Sequence, residues 1–196
     1  MRLKIITACV ALAALAAVAP AAALASPELQ TSIGTKVATG TGIKVQNEAA
    51  VVYTTAASID KTCAPANPTG TVLTNSGPLV QIKVESFKLE GGSCASFTFE
   101  NLPWCLSSSV LGEWVLKGGG CEKEGVPLAY STKLLCKYQL SAMIGSYTKE
   151  SSPLKMASGN DATWALASGG FGCEPKTVFH WFLNVVTSSG GTLKIV

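Results

Sequence analysis

The chain has 196 residues, 47% of them apolar, and a formal net charge of +3. This length suits one domain with a proper core, or two small ones. A charge this close to neutral provides no overall field to draw the protein toward nucleic acid or an anionic membrane. Arg2 is the only arginine. Because arginine is the preferred reader of phosphates and guanine edges, we expect no nucleic-acid partner.

The first 25 residues show the three parts of a secretory signal in order. Arg2 and Lys4 form a basic start, residues 5–18 form an uncharged apolar run, and Ala23, Leu24 and Ala25 supply a cleavage site. The run is shorter than the about 20 apolar residues of a spanning helix. We therefore expect residues 1–25 to be a signal peptide and 26–196 to be a single secreted or extracytoplasmic β domain with no transmembrane segment.

Cleavage removes two basic residues, which leaves 13 basic and 12 acidic residues in the mature chain. It also removes Cys9 and leaves six cysteines, an even number that predicts disulfides in an exported protein. Many pairings are compatible with six cysteines. We favour pairing between sequence neighbours, because each pair flanks segments that read as adjacent strands. The expected pairs are Cys63–Cys94, Cys105–Cys121 and Cys136–Cys173.

The N-terminal part of the mature chain reads as short strands. Residues 26–48 predict either an extended arm or the first two strands, and residues 50–57 are rich in β-branched side chains. Residues 71–75 and 80–89 read as a hairpin with a turn at 75–77. Residues 80–85 alternate apolar and polar side chains, which predicts a strand with one buried and one solvent-exposed face.

The C-terminal part continues this pattern. Alternation recurs at 97–100 and at 134–138, and paired glycines, including Gly118–Gly120, predict turns. Residues 177–186 are apolar on both faces, which favours a central strand covered on both sides, and 192–196 predict a last strand. The fold class is therefore mostly β, an antiparallel sandwich or a small barrel-like fold with three disulfides.

His180 is the residue that a hydrolase would use as a general base, because histidine titrates near neutral pH. It lies between Phe179 and Trp181 in the most apolar segment, and Asp60 and Asp161 are the only aspartates available for a catalytic triad. A packed histidine in the core or on a sheet face is the favoured interpretation. No nucleophile elbow of the form Gly-x-Ser-x-Gly occurs in the sequence. We therefore expect no catalytic residue.

The other candidate groups also have structural interpretations. The four tryptophans could stack on sugars, but core packing is favoured for each, since large aromatic side chains dominate cores. Two of the ten glutamates could form a pair of glycosidase carboxylates, but the sequence does not show which two face each other. Glu85 and Glu100 lie on strand faces that look solvated, so we interpret them as surface residues. Because no two of the six cysteines have ligand spacing and His180 is the only histidine, we expect neither a metal site nor a cofactor.

Three short motifs resemble those of small secreted bacterial proteins that are β-rich, contain disulfides and have no assigned function. The motifs lie at residues 34–37 (GTKV), 102–106 (LPWCL) and 117–121 (KGGGC). The resemblance implies export and a β-rich disulfide fold. It implies no substrate, cofactor or catalytic residue.

These observations favour a non-enzymatic protein with a structural or binding role outside the cytoplasm, at the cell surface, in the periplasm or released. Its partner would be an unknown surface, protein or glycan. The first alternative is a carbohydrate-binding module, which needs a tryptophan exposed on a flat face. The second is a secreted hydrolase, which needs His180 in a cleft beside an acid and a hydroxyl group.

Overall fold

The computed structural model describes residues 26–46, 50–54, 60–65, 68–123, 125–140, 143–159 and 162–196. The expected signal peptide, residues 1–25, lies outside the described residues, as does Asp161. The described residues form antiparallel strands and one short 3-10 helix, Gly92–Ser96. The strands are β1 (Leu29–Thr31), β2 (Gly42–Val45), β3 (Ala50–Thr54), β4 (Asp60–Pro65), β5 (Thr69–Ser76), β6 (Leu79–Ser86), β7 (Leu89–Glu90), β8 (Phe97–Glu100), β9 (Trp104–Ser108), β10 (Glu113–Lys117), β11 (Leu128–Ser131), β12 (Cys136–Gln139), β13 (Met143–Tyr147), β14 (Leu154–Ser158), β15 (Thr163–Ser168), β16 (Lys176–Thr187) and β17 (Leu193–Ile195).

Period-two alternation explains the strands that the sequence predicts most clearly. In β6, Val80 and Ile82 are buried while Gln81 and Lys83 are only partly so, and in β8 Phe97 and Phe99 are buried while Thr98 is exposed. β5 and β6 pair as the predicted hairpin. The mostly β, antiparallel fold class is confirmed.

Eight strands close into a barrel in the order β2-β5-β6-β9-β10-β13-β14-β16. The ring closes on β16, whose C-terminal half pairs with β14 on one side and with β2 on the other. Val185, for example, lies opposite both Leu154 and Val45. A ring of about eight strands leaves an interior that side chains can just fill. Of the two expected architectures, the barrel is the one formed by the described strands.

The N-terminal half of β16 belongs to a second group of strands, ordered β8-β11-β12-β15-β16-β3-β4-β7. An isolated bridge between Lys88 and Thr98 connects the β7 side of this group to β8, so the group curls back toward its first strand. At the rise of about 3.3 Å per residue, the twelve residues of β16 span roughly 40 Å. This strand therefore belongs to both the barrel and the second sheet and connects them.

The side chains of β16 correct one expectation. Phe179, Trp181 and Leu183 are buried on its inner face, but Phe182 on the outer face is 52% exposed. The strand is central, as predicted, but it is not covered on both sides. Barrel strands turn only their inner face to the core, and the apolar composition of 177–186 did not reveal this.

An aromatic cluster fills the junction between barrel and second sheet. Phe87 stacks on Trp181 with ring centroids 4.7 Å apart, and Trp104 lies 6.0 Å from Trp181 on a nearly parallel plane. Phe99 meets Trp104 edge to face at 5.6 Å. Such offset and edge-to-face contacts are the preferred aromatic geometries. The cluster makes the two groups of strands share one continuous core.

The opposite end of the barrel is covered by the two-stranded ribbon of β1 and β17. Leu29, Leu193 and Ile195 of this ribbon are buried. Asn75 of β5 fixes the ribbon to the barrel: its amide nitrogen donates to the carbonyl oxygens of Leu29 and Val37, and its Oδ1 accepts from the Leu29 N–H. The ribbon therefore seals the barrel at this end.

Three disulfides are present, as expected, and they join Cys63 to Cys94, Cys105 to Cys121, and Cys136 to Cys173. The pairs are those of neighbour pairing, and the stretch between each two cysteines runs through strands that pair with each other: β5 with β6, β9 with β10, and β13 with β14. Each disulfide connects a strand to a helix or loop rather than two adjacent strands. The cross-links therefore tie irregular segments to the sheets.

The glycines at 118–120 do not form the predicted hairpin turn. β10 pairs with β9 and β13, whereas β11 pairs with β8 and β12, so this segment carries the chain from the barrel to the second sheet. A Cβ on Gly118 would lie 2.4 Å from the carbonyl carbon of Val126. Glycine is needed here because two backbone segments cross closely.

Candidate functional site

The four tryptophans are all buried, with Trp104, Trp114, Trp164 and Trp181 each at most 3% exposed. Trp104 and Trp114 also donate their indole N–H groups to the carbonyl oxygens of Glu100 and Ser146. Core packing, the favoured interpretation, is what the structure shows for these rings. None of the four offers a ring face to a sugar.

His180 lies on the outer face of β16, opposite Val52 of β3, and is half-buried. It shares this face with Val178 and Phe182. The side chain is therefore neither in the core nor fully exposed, in agreement with the interpretation of a histidine on a sheet face. The side chain of Asp60 and the whole of Asp161 are outside the description, so the triad hypothesis has no geometry to support it.

Glu85 and Glu100, the two glutamates predicted to be surface residues, each pair with a lysine on the surface. Glu85 lies 2.8 Å from Lys83 and Glu100 lies 2.9 Å from Lys137, with more than a third of each carboxylate side chain exposed. Exposed pairs of this kind contribute about 0–1 kcal/mol. The structure places the two glutamates in two separate surface ion pairs.

The barrel interior is filled by side chains. Its apolar cavity has a volume of about 40 Å³ and is lined by residues such as Ile82, Leu116, Met156 and Trp181. A single water molecule needs about 10–15 Å³ of such a cavity, so this one has no room for an organic ligand of ordinary size. In the described part of the chain, no group of three or more histidine, cysteine or acidic side chains is placed to hold a metal ion.

The most unusual feature of the described surface is the loop between β11 and β12. Ser131 and Cys136 are paired, so residues 132–135 form a four-residue hairpin loop. Tight loops favour glycine, asparagine, aspartate and serine. This loop instead ends in Leu134 and Leu135, which are 48% and 64% exposed.

Leu135 also has an unfavourable backbone conformation. Its φ is +56°, in the left-handed region, which costs a residue with a Cβ about 1–2 kcal/mol. Glycine or asparagine would adopt it more easily. A strained backbone that carries an apolar side chain into solvent indicates a constraint other than stability, and such outliers concentrate at functional sites.

The loop between β15 and β16 presents a third apolar side chain. The N–H of Cys173 donates to the carbonyl oxygen of Gly170, which closes a turn with Phe171 and Gly172 at its central positions. Gly172 has a φ of +92°, as the third residue of a type II turn requires. Phe171, at the corner of this turn, is fully exposed.

The Cys136–Cys173 disulfide joins these two loops. Both sulfur atoms lie within 4 Å of the carbonyl oxygen of Leu134. A Cβ on Gly169 would lie 2.4 Å from the Cys173 sulfur, so the backbone packs directly against the disulfide. We call Leu134, Leu135 and Phe171 the apolar tip. The disulfide fixes the two loops that carry it to each other.

The apolar tip has a mixed charged border. Lys133 and Lys176 are exposed, Glu174 is half-buried, and Lys137 is paired with Glu100. The three apolar side chains expose roughly 400 Å² of accessible surface. Covering a leucine or phenylalanine fully is worth about 1.5–3 kcal/mol. The largest apolar patch on a monomeric protein is about 300–600 Å² and is often functional, so the apolar tip is a candidate contact site.

Sequence reasoning missed the apolar tip. The alternation at 134–138 predicts Leu134 on one strand face with Cys136 and Tyr138, whereas the strand begins only at Cys136. Two signals were available: a Leu-Leu pair immediately before a cysteine, and Phe171 between glycines. Neither signal distinguishes exposed from buried side chains without the hairpin register.

The described residues contain no helix that is long and apolar enough to span a membrane. Three disulfides are typical of proteins that fold in an oxidising, extracytoplasmic setting. Comparison with protein-family models, with curated proteins and with solved structures finds no match.

Proposed function

We propose that the protein is an exported, non-enzymatic binding protein that presents the apolar tip to a partner outside the cytoplasm. The observation that carries this proposal is the exposure of Leu134, Leu135 and Phe171 on two loops joined by one disulfide. A rigid, cross-linked scaffold lowers the entropy lost on binding, because the contact residues are already in place.

Export is supported by the composition of residues 1–25 and by the three disulfides. The protein would begin at Ser26 after cleavage and would be released or held at the cell surface by its contacts. The carbohydrate-binding alternative depended on an exposed tryptophan ring, and all four rings are buried. No observation on the described residues favours the hydrolase alternative.

The proposal is tested by producing the chain with its own residues 1–25 in a bacterial secretion host. We expect an intact mass that begins at Ser26, no free thiols, and part of the protein bound to washed cell envelopes. The triple variant L134S/L135N/F171S should lose envelope binding, with asparagine chosen at 135 because it tolerates a positive φ.

The matched control is the double variant I33S/V110S, which removes two other exposed apolar side chains. The backbone N–H of Ser32 bonds to Thr192, which bridges to Val186 near the C-terminal end of β16, so Ile33 lies far from the tip. The control should bind as the wild type does. Retention of residues 1–25, free cysteines, or equal binding by the triple variant would refute the proposal.

A further inference from the structure

We infer that the partner of the apolar tip is a phospholipid bilayer, into whose interface Leu134, Leu135 and Phe171 insert. This inference rests on the proposed function and names its partner class. It depends on three properties of the tip: its area, its shape and its border.

The area of the tip is too small for a stable protein interface. The three side chains expose roughly 400 Å², whereas a specific interface buries about 800 Å² on each partner. A second copy of this chain would have to supply the missing area from elsewhere. A bilayer has no such requirement, because each apolar side chain that enters it is covered on all sides.

The shape of the tip is convex. Leu134 and Leu135 lie in a four-residue hairpin loop and Phe171 at the corner of a separate tight turn, so the three side chains project from loop ends rather than from a sheet face. The twelve-residue strand β16 begins just after the second loop and runs from there into the barrel. Projecting loop ends fit a soft surface that closes around them.

The border of the tip suits the headgroup layer. Lys133 precedes Leu134 in its loop, and Lys176 begins β16 three residues after Cys173; both lysines are exposed. A lysine stem can lie along apolar material while its ammonium group reaches phosphate. With Lys137, Glu100 and Glu174 included, the border has three lysines and two glutamates. Because this excess is small, apolar insertion rather than charge provides most of the binding.

The test uses exported protein that begins at Ser26, with its disulfides intact, and vesicles of equal parts phosphatidylcholine and phosphatidylglycerol. The wild type should float with the vesicles at low and at high salt, since apolar insertion is not screened. The affinity of L134S/L135N/F171S for the vesicles should be at least about 100-fold weaker than that of the wild type. I33S/V110S should bind as the wild type does. All three proteins begin at Ser26, so differences in their vesicle binding are caused by the substituted side chains.

A second measurement locates the tip in the bilayer. In the variant F171W the new indole is the exposed one, because the four native tryptophans are buried. Its emission should shift to shorter wavelength on vesicles and be quenched by brominated phosphatidylcholine. Vesicle binding without this quenching would overturn the inference.

Three results separate failure of the inference from failure of the proposed function. Tip-dependent binding to envelopes without binding to vesicles overturns the lipid inference and leaves the proposed function standing. Self-association of the wild type that the triple variant abolishes, without vesicle binding, identifies a second copy as the partner and also overturns it. If the triple variant equals the wild type in envelope binding, vesicle binding and association state, both the lipid inference and the proposed function are overturned.

Discussion

Replacing Asn75 by aspartate tests how the end ribbon is held on the barrel. The Asn75 amide nitrogen donates to the Leu29 and Val37 carbonyl oxygens at 2.7 and 2.8 Å, while its Oδ1 accepts from the Leu29 N–H at 2.8 Å. The side chain is 4% exposed. Asn75→Asp keeps the shape and the accepted hydrogen bond, but a carboxylate cannot donate to the two carbonyl oxygens.

The expected magnitude depends on pH. Ionised, the new carboxylate loses two hydrogen bonds and is buried beside two carbonyl oxygens, so the free energy of unfolding should fall by about 3–5 kcal/mol at pH 7. Burial should raise the pKa of this carboxyl in the folded state. The carboxyl then loses its proton at a lower pH in the unfolded state than in the folded state. The free energy of unfolding of the variant therefore falls as the pH rises above the ordinary aspartate pKa. At pH 4, where the protonated carboxyl donates one bond, the loss should be about 1–2 kcal/mol.

Urea unfolding of wild type and Asn75→Asp from pH 4 to pH 8 measures this difference directly. The matched control is Asn101→Asp, because Asn101 is exposed and donates a single bond of 3.1 Å to the Val126 carbonyl oxygen. We expect the control to lose less than about 1 kcal/mol. A difference between wild type and Asn75→Asp that is small, or the same at all pH values, would refute the role given to Asn75.

Three further changes test the packing of the core, the disulfide that fixes the apolar tip, and the proposal that the protein has no catalytic activity. Gly145→Ala would place a Cβ 2.2 Å from the Trp114 ring, so calorimetry should show a loss of about 3 kcal/mol or more, and an unchanged Tm would disprove the contact. Cys136→Ala/Cys173→Ala opens a link with a sequence separation of 37, so urea unfolding should show a loss of about 4 kcal/mol, and near-native stability would contradict it. His180→Ala should cost at most about 1 kcal/mol, because the side chain is only half-buried. Esterase, peptidase and glycosidase screens should detect no turnover, and an activity lost in an equally stable His180→Ala variant would overturn the non-enzymatic proposal.

The sequence alone was enough to predict the local features of this protein. Alternation at 80–85 identifies a strand and its buried face, because side-chain direction in a strand depends only on position. The even number of mature cysteines predicts three disulfides, since unpaired thiols are uncommon in proteins that fold in oxidising compartments. The core roles of the four tryptophans follow from their size and apolar neighbours.

Beyond the predicted hairpin of β5 and β6, tertiary structure alone decided which strands are neighbours and which apolar residues stay outside. Alternation shows that one face is buried, but it does not say that β16 pairs with β14 and β2 to close a barrel and with β15 and β3 to continue a second sheet. The apolar run 177–186 reads as covered on both sides until this pairing leaves Phe182 on the outer wall. Leu134 likewise reads as part of the apolar face of a strand until the pairing of Ser131 with Cys136 places it, with Leu135, in a turn. The reason is physical: hydrophobic composition records how favourable burial would be, whereas burial itself depends on long-range register between segments distant in the chain.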